Sequence, residues 1–229
     1  MPLSRANGVD IWYEVTGDGP ALVLIHANPF DHDLWMYQTA HFSTWFKVVG
    51  IDIRGYGRSA KVTTPFSLKD MCGDVVGVMQ DLGIARAICG GCSVGSGIAI
   101  LLGLDHPVRF DALILVGGNS GASGRYQARV EGYRSDLEGY HIKHLRDLVH
   151  PQFADSRLGR HLLNQFVERE PRLRGEAIAQ ERPSALRCQQ SRIAKAKYYS
   201  ASFSVAILLL QSRCYRQLQS FTSDKHNRF

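Results

Sequence analysis

Hydrophobic positions along the chain alternate between two kinds of pattern. Ala21-Leu22-Val23-Leu24-Ile25, Lys47-Val48-Val49-Gly50-Ile51, Ala85-Arg86-Ala87-Ile88-Cys89 and Ala112-Leu113-Ile114-Leu115-Val116 are short runs that are apolar almost throughout. A strand buried on both faces reads this way, and such strands belong to parallel sheets. Val9 to Val15 alternates instead, as a half-buried antiparallel strand does, and Gly17-Asp18-Gly19-Pro20 supplies the turn after it. Between the runs the apolar spacing becomes helical. It does so from Asp33 to Trp45, again where Ser67-Leu68-Lys69-Asp70 opens a face of Met71, Val75, Val78, Met79 and Leu82 that Gly83 stops, and again from Val94 to Leu104. The Ser67–Asp70 opening has the form of a capping box with Asp in place of Glu. Strands alternating with helices predict an α/β fold with a mostly parallel, doubly wound sheet.

Beyond Arg125 the pattern turns polar and helical, with Leu137, His141, His144, Leu145 and Leu148, then Leu158, Leu162, Leu163, Phe166 and Val167, at helical spacings. The expected organisation is a core over residues 1–124, a helical cap over 125–181 and a basic tail over 182–229. The tail is set apart by charge and by glycine. Residues 1–181 hold 18 Lys and Arg against 20 Asp and Glu, whereas 182–229 hold 9 against 1, so the net charge of +6 resides at the end of the chain. All 22 glycines lie at or before Gly175.

A chain of 229 residues that is 45% hydrophobic can bury one sizeable core, and 21% charged residues exclude a disordered class. The first residues lack the apolar centre of a signal peptide, and Val205 to Leu210 is too short to cross a bilayer, so a cytoplasmic protein without a membrane partner is expected. The localised charge gives no case for nucleic acid as a partner. Five cysteines, an odd number and taken to hold no C-x-x-C pair, are read as reduced packing thiols.

The chemistry-bearing motif is Gly91-Cys92-Ser93-Val94-Gly95, set between an expected strand and an expected helix. There the glycines permit a sharp turn that lifts the serine hydroxyl away from the sheet, and the Val94 amide stands at a helix start where it can receive an oxyanion. A phosphate loop is excluded because Ser96-Gly97, not Lys-Ser/Thr, follows Gly95, and a dinucleotide fingerprint lacks its third glycine.

Three motifs in order resemble the α/β-hydrolase superfamily over about residues 8–181, in its esterase, enol-lactonase and haloperoxidase-like serine branch. His26-Ala27-Asn28-Pro29, with Asp31, His32 and Trp35 beyond, resembles the His-Gly-x-Pro segment after the third strand. Asp52-Ile53-Arg54-Gly55-Tyr56-Gly57-Arg58-Ser59 resembles the loop after the fourth, and Gly91 to Gly95 the nucleophile elbow after the fifth. The resemblance implies Ser93 as nucleophile, the amides of Asn28 and Val94 as oxyanion hole, His26 as a brace for that loop and Asp52 as a cap on its own loop. It implies hydrolysis of a small acyl substrate without cofactor or metal. Serine at the elbow argues against the haloalkane dehalogenase and epoxide hydrolase branches, which use Asp there. Ala27 stands where the family has Gly, an expected strain if the backbone there needs positive φ.

The family's acid and base should follow its seventh and eighth strands, yet residues 182–229 show no strand leading to a Gly-x-x-Asp turn and no Gly-His loop. Two readings of this stretch stand side by side. In one it is replaced or truncated, the last two strands are missing or altered and an unpaired sheet edge favours self-association. In the other, Ser204 to Leu210 is a divergent seventh strand, and Asp224 and His226 are compressed remnants of acid and base. The first makes the chain a catalytically impaired homologue that binds a small ligand or has no activity of its own. A third reading, an interaction protein acting through its basic tail, predicts binding to acidic partners that salt abolishes. His32, His41, His106, His141, His144, His150 and His161 are expected in helices or loops, each a surface or cap residue rather than a base, and Asn119 stands where some relatives place an acid.

Overall fold

A computed structural model describes residues 3–5, 7–117, 124–167, 197–201 and 205–209. Strands β1 (Leu3–Ser4), β2 (Ile11–Thr16), β3 (Ala21–Ile25), β4 (Lys47–Ile51), β5 (Ala87–Cys92), β6 (Phe110–Val116), β7 (Lys197–Ala201) and β8 (Val205–Leu209) form one sheet in the order β1-β2-β4-β3-β5-β6-β8-β7. The β4-β3-β5-β6 centre is parallel, and antiparallel strands flank it on both sides. Its crossovers are a 3-10 turn, His32–Trp35, running into helix α1 (Met36–Phe42), then α2 (Leu68–Asp81) and α3 (Val94–Asp105).

Each doubly buried strand divides its side chains between two cores. Val23, Ile25, Val49, Ile51, Cys89 and Leu113 meet α2 and α3, through Met71, Val75, Val78, Met79, Ile98 and Leu102. Leu22, Leu24 and Val48 turn to the other face and meet Trp35 beside Ile88, Cys92, Ile114 and Val116. Burying each such side chain stabilises the fold by about 1.5–3 kcal/mol. The capping box is present as expected: Ser67 accepts from the Asp70 amide and the Asp70 carboxylate from the Ser67 amide. Cys89 and Cys92 have C-x-x-C spacing, which corrects the expectation that the cysteines hold no such pair. On a strand that offset sends them to opposite faces, one into each core, and both are free thiols.

Where a helical layer is expected, the chain forms α4 (Gly124–Ser135), α5 (Leu137–Asp147), α6 (Pro151–Ala154) and α7 (Arg157–Val167). Asp136 caps α5 by accepting from the Gly139 amide, and His150 caps α6, where Pro151 sits at a position whose amide has no helical acceptor. Tyr133, fully buried, joins the main core, and the Phe166 ring meets Phe30 edge-on at 4.8 Å, which fastens α7 to the loop after β3.

The far side of the sheet corrects an expectation. The β6 edge is not left open: β8 pairs with it antiparallel, Val116 opposite Val205 and Ala112 opposite Leu209, and β7 pairs with β8 in turn. The apolar run near residue 205 is thus a strand, and the last strands are altered rather than missing. Its direction is reversed relative to the parallel centre. Among the described residues no helix is long and apolar enough to cross a membrane.

Candidate active site

The parallel centre ends at one edge of the sheet, and β5 delivers Ser93 there directly. Ser93 has φ 52° and ψ −109°, the only positive φ at a non-glycine among the described residues. Its amide donates to the Val116 carbonyl (2.9 Å), its carbonyl accepts from the Gly97 amide (3.2 Å), and its side chain is exposed. A serine costs about 1–3 kcal/mol in such a conformation, so the surrounding backbone must impose it. The two glycines of the motif show how. A Cβ on Gly91 would collide with the Gly95 carbonyl, and one on Gly95 with the carbonyls of Ile25 and His26. Helix α3 therefore begins in backbone contact with β3 and β5, and only glycine permits that approach. Gly95→Ala is expected to destabilise the fold by about 3 kcal/mol, the upper end for overpacking because the obstacles are carbonyls and not flexible side chains. Urea unfolding of the variant beside the wild type measures it.

Ser96, passed over in the sequence reading except as a mismatch to a phosphate loop, is fully buried, and its one hydroxyl proton is shared between the carbonyls of Gly91 (2.7 Å) and Val116 (3.1 Å). A serine at the start of an otherwise apolar helix was the signal available for it.

The loop after β3 faces the same edge. His26 is fully buried; its Nδ1 donates to the Ala27 carbonyl (2.9 Å), and its Nε2 accepts from the Ile53 amide (3.0 Å). A backbone amide only donates, so Nε2 carries the lone pair and Nδ1 the proton. His26 thus ties the β3 loop to the β4 loop. The Phe30 amide donates to the Ala27 carbonyl (2.8 Å), which closes a turn around Asn28 and its cis bond to Pro29. Ala27 has no positive φ, so the expected strain from replacing glycine is absent.

Asp52 caps its loop, with a partner the sequence reading missed. One carboxylate oxygen accepts from the amide of His32 (2.8 Å) and from its Nδ1 (2.7 Å), and the other accepts from the Arg58 amide (2.8 Å). Gly57, at φ 49°, makes room, since a Cβ there would strike the carboxylate. Burial pulls the His32 imidazole down, but Asp52, Asp33 and Asp31 outweigh it and its pKa lies above the ordinary value. Burial likewise pushes Asp52 up, and the His32 hydrogen bond leads the contributions that bring it below its ordinary value. The stability each supplies has a sign. That of Asp52 is lost as pH falls through its lowered pKa, and that of His32 as pH rises through its raised one. The pair is therefore fully effective between roughly pH 4 and 6.5. Urea midpoints should fall from pH 6 to pH 9 in the wild type, and His32→Gln should flatten that fall.

Arg54 and Asp74 form a second buried pair. The guanidinium Nε and Nη2 each reach one carboxylate oxygen at 2.6 Å, Nη2 also donates to the Asp70 carbonyl (3.3 Å), and Asn7 Nδ2 donates to Asp74 (2.8 Å). Burial lifts the Asp74 carboxyl above its ordinary pKa, against the pull of Arg54 and Asn7.

In the cap, His141 and His144 do not converge on a metal position. Both turn Nδ1 to the Tyr133 hydroxyl, at 3.4 and 3.0 Å, and His141 Nε2 donates to the Phe166 carbonyl (3.0 Å). Burial first, then Arg129 and His141, push the His144 pKa down to about 4. His41 stands exposed on α1 and His150 caps α6; no described residue hydrogen-bonds the Ser93 hydroxyl. Asn119, Asp224 and His226 lie outside the described residues. Register nonetheless locates the hairpin: Ala201, Val205 and Val116 share the edge where Ser93 sits, so β8 runs away from it and Leu209 ends beside Ala112 at the opposite edge.

Comparison with known proteins agrees with this architecture. The family described as alpha/beta hydrolase fold matches residues 20–219, a stretch that runs into the basic region. The chain is 30% identical over 163 residues to the dihydrolipoyllysine-residue acetyltransferase component of the acetoin cleaving system of Cupriavidus necator, covering 70% of this chain and 43% of that one. It is 38% identical over 94 residues to epoxide hydrolase B of Mycobacterium tuberculosis, covering 40% of this chain and 26% of that one. The chain thus spans less than half the length of these curated relatives. Among solved structures, Est816, described as an N-acyl homoserine lactone degrading enzyme, has a TM-score of 0.67 at 28% identity over 78% of this chain and 70% of that one. The enol-lactonase of Burkholderia xenovorans LB400 shares the fold, with a TM-score of 0.71 at 23% identity over 78% of this chain and 73% of that one. With three motifs placed at one edge of the sheet and a match over most of its length, the chain belongs to the alpha/beta hydrolase fold family.

Proposed function

We propose that this chain is a serine hydrolase acting on a small ester, lactone or related acyl substrate through an acyl-enzyme on Ser93. The observation that carries the reading is the strained backbone of Ser93 between β5 and α3, enforced by Gly91 and Gly95. Strain of this kind persists only where packing over-determines it, and it collects at reacting centres. The 28% identity to a structure described as a lactone-degrading enzyme supports the substrate class.

In this mechanism the Ser93 hydroxyl adds to the acyl carbon, and its proton passes to a histidine. The amides of Asn28 and Val94 receive the oxyanion, held by the His26 brace and the α3 start. Collapse of the adduct releases the alcohol as its oxygen takes that proton from the histidine; the histidine, neutral again, deprotonates a water that attacks the acyl-enzyme, and returns the proton to Ser93 as the acid leaves. The chemistry needs no cofactor. Asp224 and His226 are the acid and base the sequence offers.

A second reading rests on the reversed hairpin. Strand β7 runs with the parallel centre and ends at the Ser93 edge, but the residues that follow it in sequence, Ser202-Phe203-Ser204, include no acid, and β8 then leads away to the opposite edge. Under it the chain retains nucleophile and oxyanion hole but is catalytically impaired, and it binds a small ligand or has no activity of its own.

Reaction of the full chain with a fluorophosphonate, read by mass spectrometry, separates the two. Labelling at Ser93 that His226→Ala abolishes assigns the base and upholds the hydrolase. A folded chain that never labels upholds the second reading.

A further inference from the structure

The elbow contains a second serine that no part of the proposed chemistry uses. Ser96 is fully buried, three residues after the nucleophile and in the first turn of α3, and its hydroxyl bridges two strands. Gly91 is the penultimate residue of β5, and Val116 is the last of β6. The Val116 carbonyl that Ser96 meets at 3.1 Å also accepts the Ser93 amide at 2.9 Å. One carbonyl is therefore shared by the nucleophile's own backbone and by the side chain that anchors the helix behind it.

We infer that Ser96 is a positioning residue: its hydroxyl fixes the first turn of α3 against β5 and β6, and so sets the Ser93 hydroxyl relative to the Val94 amide. The argument is one of constraint. Gly91 and Gly95 remove side chains so that the backbones can approach, but contact alone leaves the helix start free to slide along the strands. A single hydroxyl proton shared between the two strand-end carbonyls, nearer that of Gly91, restrains that freedom. An apolar residue would fill the space as well, yet would leave the Gly91 carbonyl without this donor inside the protein. Ser93 immediately precedes the turn being held and Val94 opens it, so a displacement there turns the peptide that joins them and redirects the Val94 amide relative to the Ser93 hydroxyl, and an error of about 1 Å in such a site costs about 100-fold in rate.

The inference rests on Ser93 being the nucleophile, and its test has one arm that does not. In the full chain, Ser96→Ala is compared with the wild type by the rate of fluorophosphonate labelling at Ser93 and by amide hydrogen exchange over residues 90–97. Labelling slowed by about 10- to 100-fold, with faster exchange confined to that segment and an unfolding midpoint close to wild type, is the expected result. Ser96→Thr, which keeps the hydroxyl, should restore both. Should Ser96→Ala fail to fold, Ser96→Cys, which keeps a weaker donor, is read in the same way. Labelling and exchange both at wild-type values overturn the inference. A wild-type chain that never labels removes the hydrolase reading instead. Exchange then decides alone: unchanged protection in Ser96→Ala overturns the anchoring role, and lost protection upholds it.

Discussion

Replacing Ser93 by glycine is expected to abolish acyl turnover and to raise stability, two effects of opposite sign from one substitution. Under the proposed acyl-enzyme mechanism, removing the Ser93 hydroxyl should lower kcat by about 10⁴- to 10⁶-fold, the range seen when serine is removed from such sites. The stability gain follows from the backbone. At φ 52° and ψ −109° a side chain costs about 1–3 kcal/mol, which glycine does not incur. Glycine's greater freedom in the unfolded chain takes back about 0.5–1 kcal/mol. The net is a gain of about 1 kcal/mol, or about 2–4 °C in Tm for a domain of this size. Ser93→Ala separates the two effects, because it removes the hydroxyl and keeps the Cβ. Turnover should fall equally and Tm should stay at the wild-type value. Ester hydrolysis and thermal unfolding of the three proteins test this, and a destabilised Ser93→Gly would show that the elbow stores no strain. The combination matters more than either number, since a position selected only for packing has no reason to hold its most strained residue on an exposed hydroxyl.

What was legible in the sequence follows the range of the interactions involved. Strands β3 and β4 run over Ala21–Ile25 and Lys47–Ile51, as their unbroken apolar runs predict. The α2 boundary is equally local, with cap and box within four residues. Strand β5 is longer than its pattern, because Gly90 and Gly91 look like a terminus while their places opposite Leu24, Ile25, Ile114 and Leu115 keep them in the sheet. Gly90 has its own reason, as a Cβ there would lie 2.8 Å from the Leu24 side chain. The hairpin shows a different limit. The apolar run at 205–209 is a strand in only one of the two readings the sequence leaves open, and its direction depends on which neighbour it meets, which no local pattern encodes. The site divides in the same way. Motif order gives the places of Ser93, Asn28 and His26, whereas the partners that fix them were hidden by separation: His32 meets Asp52 across 20 residues, and His26 meets Ile53 across 27.

Asp74 is the sharpest case, and it carries the largest stability effect. It lies between Met71 and Val75 on the buried side of α2, so a carboxylate on an apolar face announces a partner without naming it. The partner is Arg54, with the fork of the guanidinium on both carboxylate oxygens and Asn7 on one of them. Both residues of the pair are nearly inaccessible, at 7% and 2% exposure, so water cannot replace either. Removing one partner strands the other charge, and Asp74→Ala is expected to cost about 3–5 kcal/mol. Removing both is a different experiment. Apolar residues of similar volume, Arg54→Met with Asp74→Leu, should return stability to within about 1 kcal/mol of wild type, because the cost of desolvating two charges disappears with their attraction. A double-mutant cycle by urea unfolding measures the coupling, and a double variant as unstable as Asp74→Ala would show that the pair is net stabilising. Catalysis should respond differently from stability. Arg54 follows Ile53, whose amide holds His26, and His26 braces the loop of Asn28. A double variant that folds but loosens residues 52–59 should therefore retain its melting point and lose turnover, which would place the ion pair in the service of the oxyanion loop rather than of the fold.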